Sequence, residues 1–157
     1  MSAQSIFDHA PLGAIVTFSD GTPRPPERFK KKLAAWEDRN GSGRLVRKRP
    51  RQLIGNTTAA AEFTLHMGDH GSREVIVLRI YRSFSIGNGL TFVVTEKPAT
   101  GAVRVLSRAG EDGELVYLAS DRADAETWLK SHGYPDAVLD EVVDDDPAAA
   151  SSEGRAA

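Results

Sequence analysis

Short runs of β-branched and aromatic residues, separated by turn formers, cover most of the chain, and helical spacing occurs in three places. Residues 1–11 carry no sustained pattern and are expected to be a flexible lead-in. Gly13–Ser19 (GAIVTFS) predicts a strand, and Asp20-Gly21-Thr22 a turn. Pro23, Pro25 and Pro26 hold the next segment extended, as a rigid connector. Phe29, Leu33 and Trp36 then recur at i, i+4 and i+7 and predict a helix over about Pro26–Arg39. Pro26 suits its first turn, and Asn40-Gly41-Ser42-Gly43 ends it. Arg44–Gln52 follows as a basic strand, which Pro50 either confines to a sheet edge or terminates. Ile54–Ala60 reads as loop.

Glu62–Met67 alternates Phe63, Leu65 and Met67 with polar residues, the mark of a half-buried strand. Gly68-Asp69-His70-Gly71 predicts a turn. Arg73–Ile86 predicts a long strand, apolar on both faces at Val75–Leu78 and therefore expected at the centre of the sheet. Gly87-Asn88-Gly89 is a hairpin signal, with Leu90–Thr95 as the returning strand. After a turn at Pro98–Gly101, Ala102–Ser107 and Glu114–Leu118 form another hairpin. Ser120 or Asp121 caps a second helix with Ala125, Trp128 and Leu129 inward, and Gly133 ends it. Pro135-Asp136 opens a short third helix carrying Val138, Leu139, Val142 and Val143. Asp144–Ala157 is too poor in bulky apolar residues to fold and is expected to be disordered. The order predicts an α+β fold. It is a single domain over 1–143, with one curved antiparallel β-sheet of about six strands. An N-terminal helix is inserted after the first strand, and two C-terminal helices follow the sheet. Trp36 and Trp128 are expected to anchor helices to it.

The size, 157 residues with 40% hydrophobic content, fits this single core. The absence of Cys removes disulfides, thiol nucleophiles and thiolate metal sites. The net charge of -2 conceals a strong asymmetry. Residues 1–51 hold 11 basic and 5 acidic side chains, whereas 111–157 hold 3 and 13. Arg28, Lys31 and Lys32 on the first helix and Arg47, Lys48, Arg49 and Arg51 on the next strand are therefore expected to form one cationic field. Such a field suits nucleic acid, because neutralised phosphates release counterions. The acidic pI of about 6.1 and the scarcity of aromatics beside the cations count against it. The alternative is a protein partner. It would be met by β-augmentation on the basic edge strand, or by Glu141, Asp144, Asp145 and Asp146 at the acidic end.

Catalytic signals are weak. His66, Asp69 and His70 hold the only close pair of histidines, with a carboxylate between them that could also ligate a metal, but the predicted turn at Gly68 breaks the strand there and no further ligand is evident. There is no G-x-S-x-G elbow and no phosphate-cradling glycine loop. No catalytic or metal-binding set and no cofactor are predicted, and a hydrolase or metal-dependent enzyme is the least favoured reading. No apolar run approaches the roughly 18 residues of a membrane span, and no targeting segment is visible. A cytoplasmic protein is expected, and the compact, Arg/Ala-rich chain suggests a bacterial or phage source.

Overall fold

A computed structural model describes residues 1–72 and 75–143, and the side chains of these outside 70–77. The tail predicted over 144–157 lies outside the described residues. In chain order the elements are α1 (Ala3–His9), β1 (Ile15–Ser19), α2 (Lys30–Glu37), β2 (Gly41–Arg49), β3 (Gln52–Ile54), β4 (Thr57–Ala59), β5 (Glu62–Ser72), β6 (Val75–Ser85), β7 (Thr91–Glu96), β8 (Val103–Leu106), β9 (Leu115–Ala119), α3 (Arg122–Lys130) and β10 (Val138–Glu141). The fold is mixed α+β with antiparallel pairing, as expected. Instead of one sheet of six strands, there is a five-stranded sheet ordered β6-β5-β2-β1-β7, a three-stranded sheet ordered β10-β8-β9, and the ribbon β3-β4. Among the described residues, no helix is long and apolar enough to cross a membrane.

The large sheet curls around four phenylalanines. Phe18, Phe63, Phe84 and Phe92 are each at most 2% exposed, and removing each from water contributes about 1.5–3 kcal/mol. Phe84 on β6 and Phe92 on β7 meet edge to face at 5.4 Å between centroids, although their strands are the two edges of the sheet. In a flat sheet four strand spacings would separate those edges by about 19 Å, so the rings can touch only because the sheet is rolled. The link Ile86–Leu90 crosses the short gap that remains, turning where Asn88 N donates to the Ser85 carbonyl. Gly87-Asn88-Gly89 therefore does not make a hairpin. The strand after it pairs with β1, Phe18 opposite Phe92, because only there does Phe92 enter the core. The apolar strand expected at the centre is consequently an edge, β6.

The basic strand shows the reverse correction. β2 lies between β1, which pairs with Gly41–Arg44, and β5, which pairs with Arg44–Arg49. Leu45 turns into the core, and the charged side chains lie on the other face or at the strand end. Pro50 follows Arg49 and ends the strand, as anticipated. Gly41 and Gly43 belong to β2 rather than to a helix exit, because a side chain at Gly43 would collide: its Cβ would lie 2.9 Å from the His66 carbonyl oxygen and 3.0 Å from Met67 Sδ.

Local signals too short to count as periodic account for three more differences. The lead-in is α1: Ser2 Oγ accepts from Ser5 N, and Ala3 and Ile6, one turn apart, are fully buried. Met1 exchanges backbone hydrogen bonds with Phe92, which fastens the N-terminus to β7. The expected loop at 54–60 is largely the β3–β4 ribbon, turning at Gly55 in the left-handed region (φ 61°). The third helix is instead β10, whose four residues complete the free side of β8 with Leu139 opposite Val105 and Asp140 opposite Arg104. The β8–β9 hairpin and α3 stand where predicted. Asp121 caps α3 by accepting from Asp124 N, and Ala125, Trp128 and Leu129 pack against Val103, Val105 and Ala119 as a second core. Arg104, 4% exposed, joins the two parts by donating to Asp140 (2.9 Å) and to the Leu12 carbonyl (2.8 Å).

If α1 is structural, Ile6→Ala will lower stability by about 2–5 kcal/mol. Urea denaturation checks this, since a substitution in a flexible lead-in would leave the midpoint unchanged.

Candidate functional site

Two regions of the surface concentrate chemistry. The first is the segment leading into and through α2. From Gly21 to Lys32 every residue except Pro25 is exposed, and α2 itself buries none of its residues. The stripe Phe29, Leu33 and Trp36 is only partly covered: Phe29 is 40% exposed, and Leu33 and Trp36 are half-buried. Trp36 anchors the helix to a turn rather than to the sheet, donating from Nε1 to the Thr22 carbonyl. The helix is shorter than its spacing suggests, beginning at Lys30 after a turn in which Phe29 N donates to the Pro26 carbonyl. Arg28 and Lys32 lie over the Phe29 ring at 4.8 and 5.2 Å. Arg28, Lys30, Lys31 and Lys32 have no ion-pair partner among the described residues.

A compact polar knot holds this arm to the body. Asn40, 8% exposed, accepts at Oδ1 from Ser19 Oγ and Asp20 N, and donates through Nδ2 to Asp20 Oδ1 and the Trp36 carbonyl. Asp20 also receives Thr22 N, Thr22 Oγ1 and Arg39 Nε. Hydrogen bonds from Thr22, with Asn40 and Arg39 adding to them, hold the Asp20 carboxyl well below the usual range.

The strand cations are placed differently. Arg47 pairs with Asp112 (3.8 Å) and Arg49 with Glu62 (3.1 Å). They flank a groove of about 270 Å3 that also contains Glu114. Lys48 is half-buried and Arg51 exposed. Arg47 lies six residues beyond Gly41, on the order of 20 Å along an extended strand. Arg28, Lys31 and Lys32 thus lie on one exposed arm, whereas Arg47 and Arg49 on β2 are engaged by carboxylates.

The second region is an open cleft of about 450 Å3 between the outer face of β2-β5-β6 and the β9–α3 layer. The predicted turn at Gly68–Gly71 is absent there, because β5 continues to Ser72. A register shift between His66 and Gly68 instead puts His66 and Asp69 on one face, where His66 Nε2 donates to Asp69 Oδ1 at 2.6 Å. The His70 side chain lies outside the described set. No group of three metal-ligating side chains occurs among the described residues.

Strand register builds one wall as a row. Arg44 is opposite His66, and His66 is opposite Tyr81, with the imidazole and phenol rings 5.3 Å apart. Arg44 is fixed by donation to the Gly13 carbonyl (2.6 Å). Arg79 lies beside the Tyr81 hydroxyl, which favours its charged form, while burial pushes Tyr81 up. The other wall is a parallel stack: Tyr117 on Trp128 at 5.0 Å and Trp128 on His132 at 3.9 Å. His132 Nδ1 donates to the Trp128 carbonyl (2.8 Å), which leaves Nε2 free to accept. Tyr117 OH donates to Asp124, and burial followed by this contact raises the phenol. Asp124 is lowered, first by Ser120 N.

His66 and Asp69 are identifiable as a pair of interest from sequence. Arg44, Arg79, Tyr81, Tyr117 and His132 are not recognisable there as their neighbours, because the cleft exists only once the two sheets pack. The one local hint is Trp128 and His132 at i and i+4 on a helix end, a spacing that brings rings together.

The family model described as uncharacterised conserved protein UCP036055 matches residues 1–146, and the chain belongs to that family. No curated protein and no solved structure matches it.

The polar knot should be pH-sensitive. Its carboxylate lies below its ordinary value of 3.8 when folded. Its contribution is therefore complete above that value and is lost as pH falls towards the folded one. Urea midpoints of the wild type and of Asp20→Ala should differ by a constant amount above about pH 5 and converge below about pH 4.

Proposed function

We propose that this family member is a small binding protein that contacts nucleic acid through the arm formed by α2 and the residues entering it. The supporting observation is the run Arg28–Lys32. Four cations and one exposed aromatic lie in five consecutive residues, at the entry and first turn of a helix that buries none of its residues, with no carboxylate answering them among the described residues. Phosphates neutralised by such a run release counterions and gain affinity without base readout. Phe29, cushioned by Arg28 and Lys32, adds a surface on which an unpaired base can stack.

The reading is narrower than the field expected from sequence. Arg28, Lys31 and Lys32 carry it, together with Lys30. Arg47 and Arg49 contribute less, because Asp112 and Glu62 already meet them. Arg51, at the entry to the exposed β3–β4 ribbon, is a secondary contact. The protein-partner alternative stays open at the basic half of β2, since β1 pairs only with Gly41–Arg44 and Arg47–Arg49 pair with β5 alone among the strands described.

Fluorescence anisotropy with a labelled single-stranded oligonucleotide at two salt concentrations tests the proposal. Affinity should fall as salt rises. The triple variant Arg28→Ala, Lys31→Ala, Lys32→Ala should flatten the log–log slope by about 2, near 0.7 for each phosphate no longer neutralised. Arg47→Ala should change the slope little. Absence of binding at low salt, or an unchanged slope in the triple variant, would overturn the reading.

A further inference from the structure

The cleft between the two sheets is separate from the arm: no residue of α2 lines it. We propose that it binds a small planar anion of the mononucleotide class, a ring carrying a phosphate group.

Charge argues for the anion. Arg44 and Arg79 enter the cleft from β2 and β6, whereas its one carboxylate, Asp69, is occupied by His66 at 2.6 Å. Two guanidinium groups thus face one carboxylate in the lining, with Glu114 near the Tyr81 hydroxyl. Guanidinium groups present planar forks that match phosphate geometry. Arg44 is held in place by a single bond to the Gly13 carbonyl, so its remaining donors are oriented before any ligand arrives. A site organised in advance loses less entropy on binding.

The walls argue for the ring. His66 and Tyr81 lie tilted on one side, and Tyr81 is 43% exposed. On the other side Trp128 is already stacked with His132 at 3.9 Å and with Tyr117 at 5.0 Å, so this wall offers the edges and outer faces of a three-ring stack. A planar group entering the cleft has the exposed Tyr81 ring on one wall, with the arginines beside it, and the Tyr117–Trp128–His132 stack on the other. The volume of about 450 Å3 lies within the range of small-molecule sites. A sugar phosphate would satisfy the arginines and waste the rings, and an uncharged aromatic would do the opposite.

The chain has two tryptophans, so Trp36→Phe leaves Trp128 as the sole reporter inside the cleft. In this background, titration with adenosine or cytidine monophosphate should change Trp128 emission saturably. Ribose 5-phosphate and free nucleoside should each bind at least about tenfold more weakly, since the first cannot stack and the second cannot make charge-assisted hydrogen bonds. Arg79→Gln should weaken nucleotide binding by about tenfold or more, with circular dichroism confirming the fold. Arg44→Gln is the second variant should the first fail to fold. No saturable change up to about 5 mM nucleotide, the upper end of weak small-ligand binding, would overturn the proposal. Equal binding of nucleoside and nucleotide would do so too, as would wild-type affinity in both arginine variants. Loss of oligonucleotide binding in the arm variant has no bearing on this result, which keeps the two readings distinguishable.

Discussion

The burial of four phenylalanine rings from four different strands is the constraint on which the rest of the molecule depends. Phe18, Phe63, Phe84 and Phe92 share one interior only if β6 and β7, the edges of the sheet, approach each other. That roll sends every second side chain of β2 and β5 outward, and the outward positions hold Arg44, Arg49, Glu62, Thr64 and His66. The inside is almost wholly apolar, so polar chemistry is confined to the outer face by alternation alone. The bulges at Leu45–Arg47 and His66–Gly68 then adjust that face locally, bringing Asp69 onto the side of His66.

Much of the fold follows from local chemistry, and the failures share a cause. The strand at Ile15–Ser19, the β8–β9 hairpin and the Asp121 cap each rest on neighbouring residues, and each stands as expected. β2 and β6 exchange centre and edge because neither charge nor apolarity alone decides a strand's position. A basic strand tolerates a central place when most of its cations share the outer face, and an apolar run ends as an edge when the strand after it pairs elsewhere, as β7 does with β1. The expected third helix is β10, whose four residues are too few for either period to show. α1 escapes detection for the same reason, since Ala3 and Ile6 span a single turn. Of the candidate site, the cations of α2 are visible as a run, but their isolation is not. The cleft depends on the angle between two sheets. That angle is pinned by Arg104, a residue whose sequence neighbourhood gives no sign that its guanidinium is buried.

The protein treats its positive charge in two ways. On the sheet, Arg47, Arg49 and Arg104 meet Asp112, Glu62 and Asp140, so that they act as cross-links between strands and loops. On the arm, Arg28 and Lys30–Lys32 are left to solvent. Three sheet arginines are thus matched by carboxylates, whereas the run on the arm has no ion-pair partner among the described residues. Ionic strength will weaken the exposed set most, since solvent-exposed charges are the most strongly screened.

The knot at Asp20 and Asn40 has a consequence for how freely the arm can be changed. It confines the arm's connection to the body to a few hydrogen bonds at its two ends, so the helix between them contributes almost nothing to the core. Substitutions along Arg28–Ala35 can then be made without touching the core, while those at Asp20 and Asn40 would loosen the clasp. The residues of the arm are thus answerable to what they contact and hardly to the fold, provided that the clasp is kept.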